Sequence, residues 1–173
     1  CAVTEPVRGR PNYVGGTPVA DVNVRRVIPR DAIPSVDEPR FGDAYDGDDD
    51  DAVIAVAFAD PPRAYPGRYL QFHEVVNDVI DDAPGGDSID DAWCPLCGSG
   101  VVYDRTHEGR TLEFGVSGKL ADDDLVLYDR ETGSEWKQST GECIAGALEG
   151  ESLSVRPAAM LSVREFRESF PDG

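Results

Sequence analysis

The sequence predicts a β-rich α+β fold, with mainly antiparallel sheet and two short helices. From Val53 onward, strand-length runs rich in β-branched and aromatic residues alternate with turn signals. The spacings between these runs are those of hairpins, and no βαβ unit repeats, so the strands should pair antiparallel. With 173 residues, the chain has the size of one domain with a single hydrophobic core.

The predicted strands follow one another closely after residue 52. Their composition and alternation are those of half-buried or buried strands. Between them, the THEGR segment (106–110) and the GVSG segment (115–118) are predicted to be turns. In chain order the strands are VIAVAFA (53–59), IDDAWC (89–94), GVVYDR (100–105), RTLEFGVSG (110–118), DLVLYDR (124–130), SEWKQ (134–138), ECIAGAL (142–148) and SLSVRP (152–157).

Two segments have helical patterns. Residues 69–80 (YLQFHEVVNDVI) carry apolar side chains at helical spacing, so this helix should pack Leu70, Phe72 and Val76 against the sheet. The second helix is predicted to begin at Val163, because Ser162 is a suitable N-cap and Glu165 completes a capping box. The first helix would bring His73 close to the cysteines that follow residue 93.

The first 26 residues predict an extension, or tether, that precedes a single globular domain over residues 27–173. The extension contains Gly15-Gly16 and scattered prolines, and it has no helical period. Residues 17–24 alternate well enough to form a strand if they find a sheet edge. Two alternatives follow: the extension wraps around its own domain, or it pairs with a neighbouring copy and builds a polymer.

The chain starts at Cys1 rather than at methionine, and a cysteine at the first mature position is typical of processed lipoproteins. We therefore expect an exported protein at the cell surface, attached to the membrane through lipid on Cys1. The alternative is a cleavage that happens to fall at a cysteine. No apolar run approaches the length of about 18 residues that a membrane span requires.

The formal net charge is −18, and only Lys119 and Lys137 among the sixteen basic residues are lysine. This composition is typical of halophilic proteins, because molar salt shortens the Debye length to about 3 Å and screens the repulsion between carboxylates. The alternative is an acidic, solubilising surface in a mesophile. The absence of a basic stripe excludes nucleic acid as a partner.

Six segments resemble one known family. They are IPRDAIPSVDEPRF (28–41), RAYP (63–66), HEVVND (73–78), WCPLCGSGVVYDR (93–105), LEFGVSGKLADDDLVLYDRETGSEWKQSTGECIAG (112–146) and REFRESFPDG (164–173). Together they resemble the bacterial and archaeal proteins of the domain of unknown function 3179 family, over about residues 27–173. The resemblance implies export but brings no established activity. It assigns no role to Cys143, because many members have alanine after the TGE motif.

The Cys94-Pro-Leu-Cys97 segment has the form of a metal-binding knuckle, in which a tight turn directs two thiolates at one ion. A tetrahedral site needs further ligands, and the candidates are Cys143, His73 and His107. Zinc suits three cysteines with one histidine, whereas copper(I) accepts two or three thiolates. A disulfide is the alternative for an exported chain, and a free or catalytic thiol is a third.

Other polar residues leave several interpretations open. His73 can be a ligand, a general base or a hydrogen-bonded core residue, and His107 is expected to face solvent in its turn. The acidic segment 43–51 is expected to be a solvated loop rather than a calcium site. Asp122, Asp123 and Asp124 can border a pocket or lie on an acidic surface, and Tyr128, Trp136 and Gln138 can line a cleft or belong to the core.

Three functions remain open at this level. The first is a metal-binding or redox-active surface protein that uses Cys94, Cys97 and a partner ligand. The second is a structural subunit of an extracellular filament or surface assembly, joined through the strand in the extension. The third is an enzyme, which is the least supported, because no catalytic triad, phosphate-binding loop or paired-carboxylate motif is present. No catalytic residue is therefore assigned.

Overall fold

The structure is a computed structural model that describes residues 13–14, 17–18, 22–80, 87–94 and 99–173, with side chains over 22–80 and 100–173. It is 43% strand and 11% helix, with antiparallel sheets and two helices over the described residues. The predicted fold class is therefore confirmed. None of the described helices is long and apolar enough to cross a membrane.

The described chain has many more strands than helices, and the two helices lie at residues 67–73 and 163–169. The elements are β1 (Tyr13–Val14), β2 (Thr17–Pro18), β3 (Val24–Arg26), β4 (Ala52–Val56), β5 (Arg63–Pro66), α1 (Gly67–His73), β6 (Val75–Ile80), β7 (Asp87–Cys94), β8 (Ser99–Asp104), β9 (Thr106–His107), β10 (Arg110–Thr111), β11 (Phe114–Ala121), β12 (Asp124–Asp129), β13 (Glu135–Lys137), β14 (Cys143–Ala145), β15 (Ser154–Arg156), β16 (Ala159–Ser162) and α2 (Val163–Ser169).

Three sheets form the body of the domain. The first has the order β14-β13-β12-β11-β3, the second β15-β8-β7-β6 and the third β16-β4-β5, and all their ladders are antiparallel. Short connections join β11 to β12 and β12 to β13, whereas the β3–β11, β8–β15 and β4–β16 pairs bring together segments that are distant in the chain. Apolar side chains from the sheets form three buried clusters, and the largest surrounds the fully buried Trp136.

An irregular segment, residues 27–37, crosses from the first sheet to the second, and we call it the strap. Val27 N donates to Gly118 O at 2.8 Å, at a bulge in β11. At the other end, Val36 bridges to Val76 of β6 in parallel. The predicted turn at residues 115–118 is therefore wrong, because these residues lie inside β11, where Gly118 has φ 74° and accepts the strap.

The predicted helix over residues 69–80 is correct only in its first part. The helix α1 ends at His73, and Glu74 caps it in the left-handed conformation. The following residues form β6, because the β-branched run from Val75 pairs with β7 and is buried on both faces. Phe72 was expected to pack on the sheet, but its side chain is 74% exposed. Leu70 and Val76 are buried as predicted.

The helix α2 has the predicted bounds and the predicted capping box. Ser162 Oγ accepts from Glu165 N at 3.2 Å, and Glu165 Oε2 accepts from Ser162 N at 2.8 Å. The hydrogen bonds from Ser162 lower the pKa of the Glu165 carboxyl. This part of the cap therefore stabilises the fold above the ordinary carboxyl pKa, and its contribution is lost as the pH falls through the lowered value.

Removal of the Ser162 hydroxyl is expected to have a small effect on stability, confined to the start of α2. Ser162→Ala is expected to lower the free energy of unfolding by about 1 kcal/mol, because one N–H at the start of α2 loses its acceptor. Ser169→Ala is the matched control, since Ser169 is exposed at the other end of the same helix. Urea unfolding of both variants is the measurement, and equal losses would contradict the capping role.

The acidic loop of residues 43–51 is exposed, as predicted, but it also docks α2. Asp49 and Asp50 accept hydrogen bonds from Arg167 and Arg164, at 2.7 and 2.9 Å. The backbone carbonyl of Asp51 accepts from Val163 N at 2.9 Å. The loop therefore supplies negative charge and backbone acceptors to the first turn of the helix, which is the end that such groups stabilise.

Candidate metal centre

His73 is the last residue of α1, and its side chain is half-buried. The Nδ1 atom lies 2.9 Å from Pro34 O in the strap. A carbonyl oxygen only accepts, so Nδ1 carries the hydrogen, and Nε2 of the neutral ring carries the lone pair. Metal-binding histidines usually have one ring nitrogen anchored in this way. The strap therefore holds His73 in a tautomer that can bind a metal through Nε2.

The topology brings His73 and the backbone of Cys94 to the same end of the second sheet. Val75, two residues after His73, pairs with Ala92 of β7, two residues before Cys94. The helix α1 contacts β7 directly. Cys94 pairs with Ser99 across the hairpin that contains the knuckle. This agrees with the expectation that the first helix lies close to the cysteine segment.

The remaining atoms of the predicted knuckle lie outside the described residues. These atoms are residues 95–98, which include Cys97, and the side chain of Cys94. Cys1 also lies outside the described residues. Among the described side chains, no group of three His, Cys, Asp or Glu residues could hold a metal ion. The predicted ligands Cys94 and Cys97, and the expected lipid on Cys1, therefore stay predictions.

Cys143 lies in the largest core cluster, 3% exposed. Its Sγ donates to Ala145 O at 3.4 Å. Burial raises the pKa of the thiol to about 11, so the group is protonated at neutral pH. Since a metal ligand must be a thiolate, these surroundings favour a core thiol over the predicted third cysteine ligand. Its distance to Cys97 rests on atoms outside the described part of the chain.

His107 was expected to face solvent, and this expectation is wrong. The residue belongs to β9, and only 15% of its side chain is exposed. Its ring packs edge-on against Trp136, with 6.3 Å between ring centroids. The turn lies one residue further on, at Glu108 and Gly109, which both have positive φ. His107 therefore faces the core, and its nearest described carboxylate is Glu151, with Nε2 to Oε2 at 4.0 Å.

Glu74 is a residue of this region that sequence reasoning did not single out. It has φ 61° and ψ −28°, a conformation that non-glycine residues rarely adopt. Its side chain is half-buried, and burial raises the pKa of the carboxyl. Strained backbone of this kind is concentrated at functional sites. The one available signal was its position beside His73 in the HEVVND segment.

Asn77 and Asp78 have structural roles rather than positions one helical turn beyond His73. Asn77 joins the first two sheets, because its side-chain amide exchanges two hydrogen bonds of 2.8 Å with the backbone of Phe114. Asp78 accepts from Tyr65 OH and from Arg63, each at 2.6 Å. Both side chains are buried, so the HEVVND segment combines one candidate ligand with two interior polar contacts.

The aspartates of the β11–β12 turn divide into two exposed side chains and one buried side chain. Asp122 and Asp123 have positive φ and exposed side chains, as expected for an acidic surface. Asp124 is buried, and its carboxylate accepts from Ser139 N at 2.9 Å. The three carboxylates therefore shape a hairpin and its neighbouring loop.

The aromatic and amide residues of the first sheet belong to the core. Trp136 and Gln138 are fully buried, and Trp136 Nε1 donates to Asp129 at 2.9 Å. Tyr128 is also buried, and its hydroxyl donates to Asp31 of the strap at 2.6 Å. These residues therefore stabilise the sheet and its strap, and they line no cleft.

A family model described as "Protein of unknown function (DUF3179)" matches residues 30–173. No curated protein and no solved structure matches the chain. The matched range begins within the strap and includes both helices and every strand from β4 onward. The chain therefore belongs to the DUF3179 family of proteins of unknown function.

Proposed function

We propose that this protein is an exported surface protein that binds zinc or copper(I) through Cys94, Cys97 and His73. The observation that carries the proposal is the 2.9 Å hydrogen bond between His73 Nδ1 and Pro34 O. It leaves the lone pair of the neutral ring on Nε2, where a metal can bind. Its place at the cell surface follows from the export that the family resemblance implies.

The ligand set is one that both metals accept. Two thiolates separated by two residues are the usual half of a tetrahedral zinc site, and one imidazole is a common third ligand. Copper(I) accepts the same soft donors with fewer ligands. The fourth position for zinc is filled by the Glu74 carboxylate or by solvent, because Cys143 would first have to lose its proton and its contact with Ala145.

The charge of the chain favours this function at the surface. With a formal net charge of −18, the protein attracts cations from its surroundings. Acidic groups alone do not select a transition metal, whereas thiolate and imidazole donors do. The selectivity therefore comes from the knuckle and His73, and the acidic surface raises the local cation concentration.

Metal titration of the full chain tests the proposal. After removal of bound metal, the protein is expected to take up one equivalent of zinc or copper(I). His73→Ala should lower the affinity at least about tenfold, the effect typical of even an indirect ligand contact. His107→Ala is the matched control: it removes the other histidine of the chain and should bind like the parent.

Thiol labelling of unreduced protein separates the metal site from the disulfide alternative. If Cys94 and Cys97 react fully after chelation and are protected by added metal, the proposal is supported. If both resist labelling without metal and become reactive only after reduction, a disulfide holds them and the metal function is wrong. Equal affinity of the His73→Ala variant and the parent would remove His73 from the ligand set.

A further inference from the structure

The strand β3 is attached to the first sheet without burying a side chain. Val24, Arg25 and Arg26 are all exposed, although they pair with Ala121, Leu120 and Lys119 at the edge of β11. None of the three belongs to a core cluster of the described residues. In most edge strands one face packs on the core. The pairing of β3 therefore depends on backbone hydrogen bonds, on exposed polar contacts and on one partly buried bond from Arg26 to Ser117 O at 3.2 Å.

These contacts are of a kind that any copy of the chain can supply. Arg25 pairs with Asp123 at 2.7 Å, but both side chains are more than half exposed, so the pair contributes little stability. Asp122 N donates to Asn23 O at 3.1 Å, which is a contact between main chains. The same segment of a second molecule presents the same groups to the β11 edge. The pairing thus does not specify which copy provides the strand.

The receiving edge, in contrast, belongs to the core. Ala121 is fully buried and Leu120 is 8% exposed, so β11 is an apolar strand, and among the described residues β3 is the strand that pairs with this edge. An uncovered edge of this composition promotes association between molecules. Either the strand of the same chain or that of another must therefore fill it.

The attachment point of β3 allows it to leave while the rest of the domain stays intact. Directly after β3, Val27 N and Ile28 N both donate to Gly118 O, at 2.8 and 3.1 Å. A side chain at Gly118 would come within 2.2 Å of Ile28 O, so this contact of the strap with the bulge is close. Val27 itself is 53% exposed. The boundary between anchored strap and exchangeable strand therefore lies at Val27.

The charge of the extension is complementary to the domain of a second copy. The first 26 residues contain four arginines, one glutamate and one aspartate, a net charge of +2, which leaves −20 on the remainder of the chain. A cationic arm is complementary to the acidic domain of any copy. Molar salt screens the repulsion between two domains of this charge, while backbone hydrogen bonds do not depend on it.

We propose that β3 is an exchangeable strand: residues 22–26 of one molecule fill the β11 edge of a second molecule. A reciprocal exchange closes a dimer, and a head-to-tail exchange that does not close builds a filament. The partner is thus a second copy of this chain, and the interface consists of Lys119–Ala121 with the Asp122–Asp123 turn. This assembly does not depend on the metal site proposed above.

Cross-linking between two marked chains tests the exchange directly. Val24 and Ala121 face each other, and the alternation of the ladder makes them a non-hydrogen-bonded pair, whose Cα separation of about 4.5 Å suits a disulfide. A Val24→Cys chain is mixed with an isotope-labelled Ala121→Cys chain in molar salt and oxidised. We expect a peptide that links position 24 of one chain to position 121 of the other, in a yield that rises with protein concentration.

The double variant and the single variants provide the controls. Each single variant alone should yield no peptide joining these two positions. If the Val24→Cys, Ala121→Cys double variant closes its link entirely within one chain, and the mixture gives no link at the highest concentration, the exchange is wrong. Mass spectrometry of the linked peptides excludes the native cysteines as a source of the signal.

Proline variants supply a second, independent measurement. Val27 N donates to Gly118 O, and Asn23 O accepts from Asp122 N. Because every second pair of an antiparallel ladder is hydrogen-bonded, the N–H of Arg25 points at Leu120. The N–H of Val24 points away from β11. Arg25→Pro should abolish assembly measured by light scattering in molar salt, and Val24→Pro should assemble like the parent. Assembly of a folded Arg25→Pro variant at the parent level would overturn the proposal. If Arg25→Pro does not fold, the cross-linking mixture decides.

Discussion

Replacement of Asp78 by alanine is expected to lower the free energy of unfolding by about 3–5 kcal/mol. The side chain of Asp78 is 6% exposed and lies 2.6 Å from Arg63 Nη1 and from the Tyr65 hydroxyl. Its second oxygen accepts from Val79 N at 2.8 Å. Without the carboxylate, the Arg63 charge and the buried Tyr65 hydroxyl each lose a charged hydrogen-bond acceptor in a low-dielectric environment, which is costly.

The surface of the same protein contains a matched control for this experiment. Asp46 also accepts a tyrosine hydroxyl, from Tyr69 at 2.7 Å, and it also lies near an arginine, Arg68 at 3.8 Å. Its side chain, however, is 76% exposed. Asp46→Ala should therefore lower the free energy of unfolding far less than Asp78→Ala does. Urea unfolding of both variants is the measurement, and equal losses would show that burial does not decide the effect.

The melting temperature is expected to rise by about 10 °C between 0.1 M and 3 M sodium chloride. For a domain of this size, that shift corresponds to about 3 kcal/mol of stability. The chain has 34 acidic and 16 basic residues, so repulsion outweighs attraction when the charges are summed. Most of the described ion pairs are at least partly exposed, so each contributes little stability. The protein therefore loses little stability when salt screens these pairs. Calorimetry over a salt series checks this prediction.

A comparison of two salts identifies screening as the cause. Sodium chloride and sodium thiocyanate screen charges equally at the same concentration, but thiocyanate does not strengthen the burial of apolar surface as excluded salts do. Below about 0.5 M, both salts should therefore raise the melting temperature by similar amounts. A melting temperature that does not change with either salt would reject the interpretation of this composition as halophilic.

The strands and the second helix could be predicted because their signals are local. Alternating β-branched residues, turn residues with positive φ and the Ser162–Glu165 capping box all lie within a few residues of the element that they specify. The end of α1 could not be predicted in this way. Residues 75–80 have apolar spacing that suits a helix, and pairing with β7 on one side and with the distant Val36 on the other selects a strand.

In the candidate site, too, some features could be predicted from local sequence and others depend on tertiary contacts. The CPLC spacing and the HEVVND segment could be singled out from the sequence, and so could the cysteines as metal ligands or disulfide partners. The tautomer of His73 depends on Pro34, which lies 39 residues earlier in the chain. The core position of His107 depends on the packing of the β9–β10 hairpin against Trp136. Neither contact leaves a periodic signal in the sequence.

The sequence by itself determined the fold class, the family and the acidic character, and it singled out Cys94 and Cys97 as candidate ligands, because composition and short-range spacing carry that information. Only the tertiary structure decided that Asn77 and Asp78 are interior contacts, that Cys143 is a core thiol and that β3 lies exposed at a sheet edge. The physical reason is that burial and hydrogen-bond partners are set by residues from distant segments, which meet only when the sheets assemble.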